Sequence, residues 1–339
     1  MTGLRAGVVL QAVDPPAEFG DIVTEVEQLG YGQLWLTDSS LHARNCYSYL
    51  TLAAARSSQL LLGTAVTNPA TRHPAITAAA AATVDEISAG RMVLGIGAGD
   101  RPLLALGLRP SPLADLAAAV EAIRSLWSGA TVDIQAPGFT LAGAHLRFAA
   151  RPGIPVYLSA SGPKTLELAG RIADGVILLV GLFPEGLNWA LEHVRRGADM
   201  ANRPLPHTAV FAYGMVSEDE QAALAAARSI AAWFPQTAPH ICELAGLAPD
   251  IADRVRVGYS GGEFQEATSA AALLPDEFVR KVALSGNQQR TAGQIRCVLD
   301  AGADSVHVFP LGSNRMQTVR AFARAWSDAA HGEPSGGRR

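Results

Sequence analysis

Two acids stand at places where an α/β chain can do chemistry. Asp38 follows the apolar run Gln33–Leu36 in Thr37-Asp38-Ser39-Ser40, and Asp100 follows Met92–Ile96 in Gly97-Ala98-Gly99-Asp100. Where parallel strands bring such tips to one mouth, a pair of carboxylates serves as general acid and base or holds a substrate hydroxyl. Each acid could equally cap a loop or a helix. His42 lies just beyond Asp38, and His307 sits inside the last apolar run, where a substrate contact and a satisfied interior histidine are both open readings. His73 directly precedes Pro74, which suits a cap or a surface position. Ser159-Ala160-Ser161-Gly162-Pro163-Lys164 joins a strand-like run to a helical one. Small residues there let an anion approach free backbone N–H groups at a helix start, and Lys164 adds a charge. The same residues also read as an ordinary serine-capped turn.

Several other chemistries are excluded by pattern. There is no Walker A loop and no HExxH. Gly95-Ile96-Gly97-Ala98-Gly99 has GxGxG spacing and opens no βαβ unit at the start of the chain, so it is not a dinucleotide fingerprint. Cys46, Cys242 and Cys297 are scattered and fit neither a disulfide framework nor a metal-ligand spacing.

The elements that must position these residues alternate along the chain. Strand-like runs are expected at Leu4–Leu10, Gln33–Leu36, Leu60–Thr67, Met92–Ile96, Pro155–Ser159, Gly175–Leu179, Pro206–Val216 and Ser305–Phe309, with helical patterns between them. Eight strands, each followed by helix, predict a (β/α)8 TIM barrel, about 250 residues before insertions. The surplus falls in a β-hairpin around Pro137-Gly138, near residues 129–150, and in a helical insertion near 235–289 that contains Gly-Tyr-Ser-Gly-Gly at 258–262. One barrel domain over residues 1–330 and a disordered tail at 331–339 complete the expectation. An open doubly wound sheet with a second domain is the rival architecture.

Composition narrows the partners. Of 339 residues, 49% are hydrophobic but only 6% aromatic, which suits aliphatic helices packed on a sheet. The net charge of −4, without a basic block, argues against nucleic acid. No apolar run reaches membrane-spanning length, and the N-terminus enters strand-like sequence at once, so no membrane partner and a cytoplasmic location are expected.

LWLTDSS, GTAVTNPATRHPAITAAAAATVDEISAGRMVLGIGAGD and VYLSASGPKTLELAGRIADGVIL together resemble the bacterial luciferase-like superfamily. Within it they are similar to the branch that uses the deazaflavin coenzyme F420, near the methylenetetrahydromethanopterin reductase group. The resemblance covers roughly Leu4 to Ser327 and implies the luciferase-like barrel. It implies a non-proline cis peptide at Ala65-Val66 backing the deazaflavin, and Thr67, Asn68 and Gly97 beside it. It also implies that Asp38, with Ser39, reaches the coenzyme's polar edge, and that Ser159, Ala160, Ser161 and Gly162, next to Lys164, hold its phosphate. Asp100 matches the position of a catalytic glutamate in an F420-dependent sugar-phosphate dehydrogenase. That enzyme has a histidine directly after its strand-2 aspartate, where this chain has Ser39. Reduction of an activated C=C, C=N or C=O bond of a small organic substrate is therefore the implied reaction, with Asp100 moving the proton and Asp38, His42 and His307 as further candidates.

Two rivals remain at this level. One is an FMN-dependent monooxygenase of the same superfamily, and the other a flavin- or deazaflavin-binding protein without catalysis. A homodimer is the family expectation, with Leu50–Ala55 and Ile76–Ala82 as interface material or, equally, as internal core. Pocket walls are expected from Gly181–Asn188, the 235–289 insertion and Pro310–Asn314.

Overall fold

QLWL, LLGT and MVLGI are short, continuous apolar runs, the pattern of strands buried on both faces. In the computed structural model, which describes residues 5–39, 41–100, 103, 105–259 and 267–331, they lie side by side in one parallel sheet. The strands are β1 (Arg5–Leu10), β2 (Gln33–Leu36), β3 (Leu61–Thr64), β4 (Met92–Ile96), β5 (Val132–Ala136), β6 (Phe139–Ala144), β7 (Val156–Ala160), β8 (Gly175–Leu178), β9 (His207–Val216), β10 (Leu284–Gly286) and β11 (Ser305–Pro310). Around the ring the order is β1, β2, β3, β4, β7, β8, β9, β11 and back to β1. Closure rests on β8 and β9, paired from Gly175 opposite His207 to Leu178 opposite Val210. The fold is a (β/α)8 barrel, and the open-sheet alternative is eliminated.

Alternation along each strand divides the core in two. Leu34, Leu36, Leu62, Leu94, Val176 and Val308 face the surrounding helices, while Val9, Trp35, Val93, Ile177, Ala209, Phe211 and Phe309 fill the barrel. Three rings inside the barrel each lie over a glycine in register on the next strand. Trp35 pairs with Gly63, His307 with Gly7 and Tyr157 with Gly175. A Cβ on Gly63 would stand 2.1 Å from the indole, and one on Gly7 would stand 1.8 Å from His307 Nδ1. The glycines make room for the rings.

The helices are α1 (Pro16–Gln28), α2 (Cys46–Arg56), α3 (Pro74–Ile87), α4 (Leu113–Trp127), α5 (Pro163–Ile172), α6 (Pro184–Met200), α7 (Glu220–Ala231), the short α8 (Phe234–Thr237), α9 (Pro239–Leu244), α10 (Pro249–Gly258), α11 (Thr268–Ala271) and α12 (Asp276–Val282), then α13 (Gln288–Asp300) and α14 (Arg315–His331). Proline in the first turn opens α1, α3, α5 and α6. Asn45, Asp219 and Asn287 cap α2, α7 and α13 through side-chain oxygens. His73 caps α3: its Nδ1 accepts from Ala75 N at 3.2 Å, and its Nε2 lies 3.2 Å from the Thr140 carbonyl of the β5–β6 hairpin. Leu50, Ala53 and Ala54 are internal, whereas Ile76 is exposed.

Three details differ from the sequence expectation. β3 stops at Thr64, and Thr67 rejoins the sheet as a single bridge to Ile96. β10, three residues with no readable alternation, pairs with Gly214–Val216 where β9 outruns the barrel. His331 is still helical. Leu4, Ser40, residues 260–262 of the Gly-Tyr-Ser-Gly-Gly stretch and the remaining tail, 332–339, lie outside the described residues.

Candidate functional site

The carboxyl ends of the strands surround a cavity of about 540 Å³. Asp38, on the loop after β2, lines it and is almost wholly buried. One of its oxygens lies 3.4 Å from Nη2 of Arg72, while the other is buried without a hydrogen-bond partner. Arg72 sits over Tyr47, its guanidinium carbon 4.8 Å from the ring centroid. Burial, and next the Asp38 charge, push the Tyr47 phenol and the Cys46 thiol above their usual ranges, so both stay neutral. The Tyr47 hydroxyl is near enough to Thr67 to feel it, yet neither oxygen has a partner at hydrogen-bonding geometry.

Across β3 the Ala65–Val66 peptide is cis, and both residues line the cavity. Asn68 follows; its side-chain oxygen accepts from Ala70 N (3.1 Å), Thr71 N (2.8 Å) and Thr71 Oγ1 (3.1 Å), which leaves its NH2 group as the donor toward the cavity. Thr67 does not reach the cavity. Its side chain turns the other way, toward Tyr47, where the chain re-enters the sheet as a bridge to Ile96. Gly97, on the neighbouring tip, keeps this wall flat: a Cβ there would stand 3.0 Å from Val66 Cγ2 and 3.3 Å from Ser159 Cβ. Gly99 adopts φ +88°, which only glycine takes readily, and carries the chain to Asp100 at the exposed rim.

Ser159, Ala160 and Ser161 continue the wall into α5. That helix has Gly162 as its N-cap, Pro163 at its first position and no side-chain cap. Its first free N–H groups and the Thr165 hydroxyl therefore open toward the cavity, where the helix dipole favours negative charge. Lys164 is exposed to solvent, and neither it nor Gly162 lines the cavity. Ser39 and His42 both line it; His42 is half-buried, and its backbone N–H donates to Ser39 O.

His307 is not part of the site. It is wholly buried between Trp35 and Phe211, below the cavity floor, because it is one inward position short of Phe309 on β11. Ser305 Oγ bridges His307 Nε2 (2.8 Å) and His207 Nε2 (3.0 Å), while His307 Nδ1 faces Gly7 unpartnered. Burial first, then the neighbouring His207, lower the His307 pKa to about 3 and keep it neutral.

Other lining residues carried weaker sequence signals. Phe211 and Tyr213 follow from period-two alternation on β9, but Trp233, Thr237 and Thr165 have no local signature. Arg315 also lines the cavity and donates to both oxygens of Asp14 at 2.7 and 2.8 Å, a pairing across 301 positions. Pro310, Leu311 and Gly312 form part of the wall as expected, whereas Gly181–Asn188 does not: Leu182, Phe183 and Leu187 are buried in the core. Among the described residues no His, Cys, Asp and Glu cluster could hold a metal, and no helix is long and apolar enough to cross a membrane.

Comparison with known proteins agrees with the barrel fold. The family described as luciferase-like monooxygenase matches residues 2–305. A 5,10-methylenetetrahydromethanopterin reductase of Methanolobus tindarius is 30% identical over 324 residues, which is 94% of this chain and 98% of the relative. The enzyme of the same name from Archaeoglobus fulgidus is 33% identical over 306 residues, 88% of this chain and 91% of the relative. Among solved structures, the coenzyme F420 dependent tetrahydromethanopterin reductase of Methanopyrus kandleri superposes with a TM-score of 0.82 at 25% identity, covering 95% of this chain and 98% of that one.

Proposed function

Because the chain belongs to the luciferase-like monooxygenase family, we propose that it is a coenzyme F420-dependent oxidoreductase acting on an activated C=C, C=N or C=O bond of a small organic substrate. The observation that carries this reading is the pair of complementary groups on one cavity. The uncapped start of α5 with Ser161 and Thr165 suits a phosphate, and the unpartnered, buried oxygen of Asp38 suits an N–H donor. The name of the Methanopyrus kandleri structure, a coenzyme F420 dependent reductase, supports the deazaflavin over FMN.

Bound in this cavity, reduced F420 supplies the hydride. The protein's share is orientation and one proton. Ala65, Val66 and Gly97 give a flat apolar wall, and Asn68 offers its NH2 group. The hydroxyls of Ser161 and Thr165, with the free N–H groups of α5, hold the phosphate. Asp38 fixes the polar edge, its own charge steadied by Arg72. Asp100 and His42 border the same cavity, and we assign proton delivery to Asp100 with His42 as the second candidate. We also propose a cytoplasmic homodimer.

A binding titration of the purified protein with F420 and with FMN tests this assignment. Micromolar or tighter F420 binding with FMN at least about tenfold weaker supports it. The reverse preference moves the chemistry to oxygen and flavin, and binding of neither coenzyme leaves only a protein that has lost the activity.

A further inference from the structure

We propose that Thr64, a wholly buried residue that does not itself line the cavity, is the positioning residue for the Ala65–Val66 wall against which the coenzyme lies. The inference rests on the coenzyme assignment above. Its physical origin is a mismatch in length between two neighbouring strands. β3 and β4 are in register at Gly63 and Val93, and they meet again where Thr67 bridges Ile96. Between those points the chain takes four steps on the β3 side against three on the β4 side. The extra residue cannot stay in the ladder, so the chain bows out, and Ala65 and Val66 are the residues that reach the cavity. A bow of this kind needs something at its base to fix its height.

Thr64 supplies it. Its hydroxyl donates to the Gly95 carbonyl at 2.6 Å and accepts from the Gly95 N–H at 2.9 Å, so a side chain closes the gap that the interrupted ladder leaves. A hydroxyl can do both at once; a hydrocarbon of the same shape can do neither. The Gly95 carbonyl also accepts from Thr67 N at 3.0 Å. One acceptor on β4 therefore holds the residue before the bow and the residue after it. Ala65 N donates to Leu36 O on β2 at 2.7 Å, and Gly97 N donates to Thr67 O at 2.9 Å, which secures the two ends from either side. Gly95 permits the close approach, since a Cβ there would stand 1.9 Å from the Thr64 carbonyl oxygen. Removing the Thr64 hydroxyl would leave the Gly95 N–H buried and unpaired and release the near end of the bow.

The test compares two threonines that make the same kind of stitch at opposite ends of the barrel. Thr208, at the amino end of β9 and outside the cavity, is equally buried. Its hydroxyl donates to Asp304 Oδ2 at 2.8 Å and accepts from Asp304 N at 3.0 Å. Thr64→Val and Thr208→Val are each expected to lower the Tm of the full-length protein by about 2–8 °C. Thr64→Val alone is expected to weaken F420 about tenfold or more, and to speed amide exchange at Thr67 and Gly97 about tenfold in the coenzyme-free protein. Thr64→Ser keeps the hydroxyl and should hold both readouts within about threefold of wild type. Thr64→Ala, which leaves room for a water at the Gly95 N–H, is measured beside Thr64→Val with the same expectation, so the result does not hang on the folding of one variant. Affinity or exchange unchanged in the hydroxyl-free variants, a loss that serine does not restore, or an equal loss in Thr208→Val overturns the proposal. A wild-type protein without affinity for F420 overturns the coenzyme assignment instead, and the exchange contrast, read without coenzyme, still decides whether Thr64 sets the wall.

Discussion

Asp38, Asp100 and His307 show how far a residue's role depends on its exact height on a strand. Asp38 presents one free, buried oxygen to the cavity. Asp38→Asn should therefore weaken F420 binding by roughly ten- to a hundredfold, the worth of a charge-assisted hydrogen bond, measured by the coenzyme titration. Asp100 is exposed at the rim. Asp100→Asn is expected to lower kcat by about a hundredfold with the F420 dissociation constant unchanged; a parallel loss of affinity would make it a binding residue instead. The His307 pKa is lowered from an ordinary 6.5 to about 3, first by burial. Between those values the unfolded chain takes up a proton that the folded chain refuses. The stability owed to neutral His307 is thus complete above pH 6.5 and lost as the pH falls toward 3, by about 1.4 kcal/mol per pH unit. His307→Asn should flatten the pH dependence of unfolding between pH 4 and 6 relative to wild type, and should leave F420 binding intact. Neither free oxygen nor burial depth is written in a motif. The two aspartates were readable because each follows a strand; His307 stayed open between core and substrate because one step of two residues separates a lining position from a core one.

At the scale of elements, the start of α5 joins local sequence to ligand chemistry. Pro163 and the small residues before it were legible, and so was the helix they open. Lys164 was expected to add a charge to the phosphate site, yet helical geometry sends its side chain outward and gives the cavity the next residue, Thr165. Thr165→Val, which keeps shape and removes the hydroxyl, should weaken F420 about three- to tenfold and reduce competition by inorganic phosphate in the same titration. An unchanged affinity would leave the backbone N–H groups and Ser161 as the anion site. β10 was invisible for a different reason: three residues carry too little pattern to register, and its pairing exists only because β9 extends past the barrel. The glycine partners of Trp35, His307 and Tyr157 were equally silent, since a cross-strand register has no trace in a single strand.

On the scale of the whole molecule, repetition was the readable signal and long-range pairing was not. Eight βα units announce a barrel, but the Arg315–Asp14 pair that neutralises one side of the cavity joins the two ends of the chain. Association of two chains belongs to the same scale. Of the two apolar stretches considered for it, Leu50–Ala55 is largely core, which leaves α3. Ile76 and Ile87 are 57% and 48% exposed, and they stand about three turns apart on the same face of α3. Ala80 and Thr83 lie between them at helical spacing, so the stripe carries no charge. An uncharged stripe of this kind suits self-packing about a two-fold axis, where each helix meets its own copy. Sedimentation equilibrium of the wild-type protein should therefore give a dimer, and Ile76→Lys with Ile87→Lys should give a monomer that still binds F420. The lysines would face one another across the axis, adding like-charge repulsion to lost apolar contact. A wild-type monomer, or a dimer indifferent to both lysines, would remove α3 from the interface.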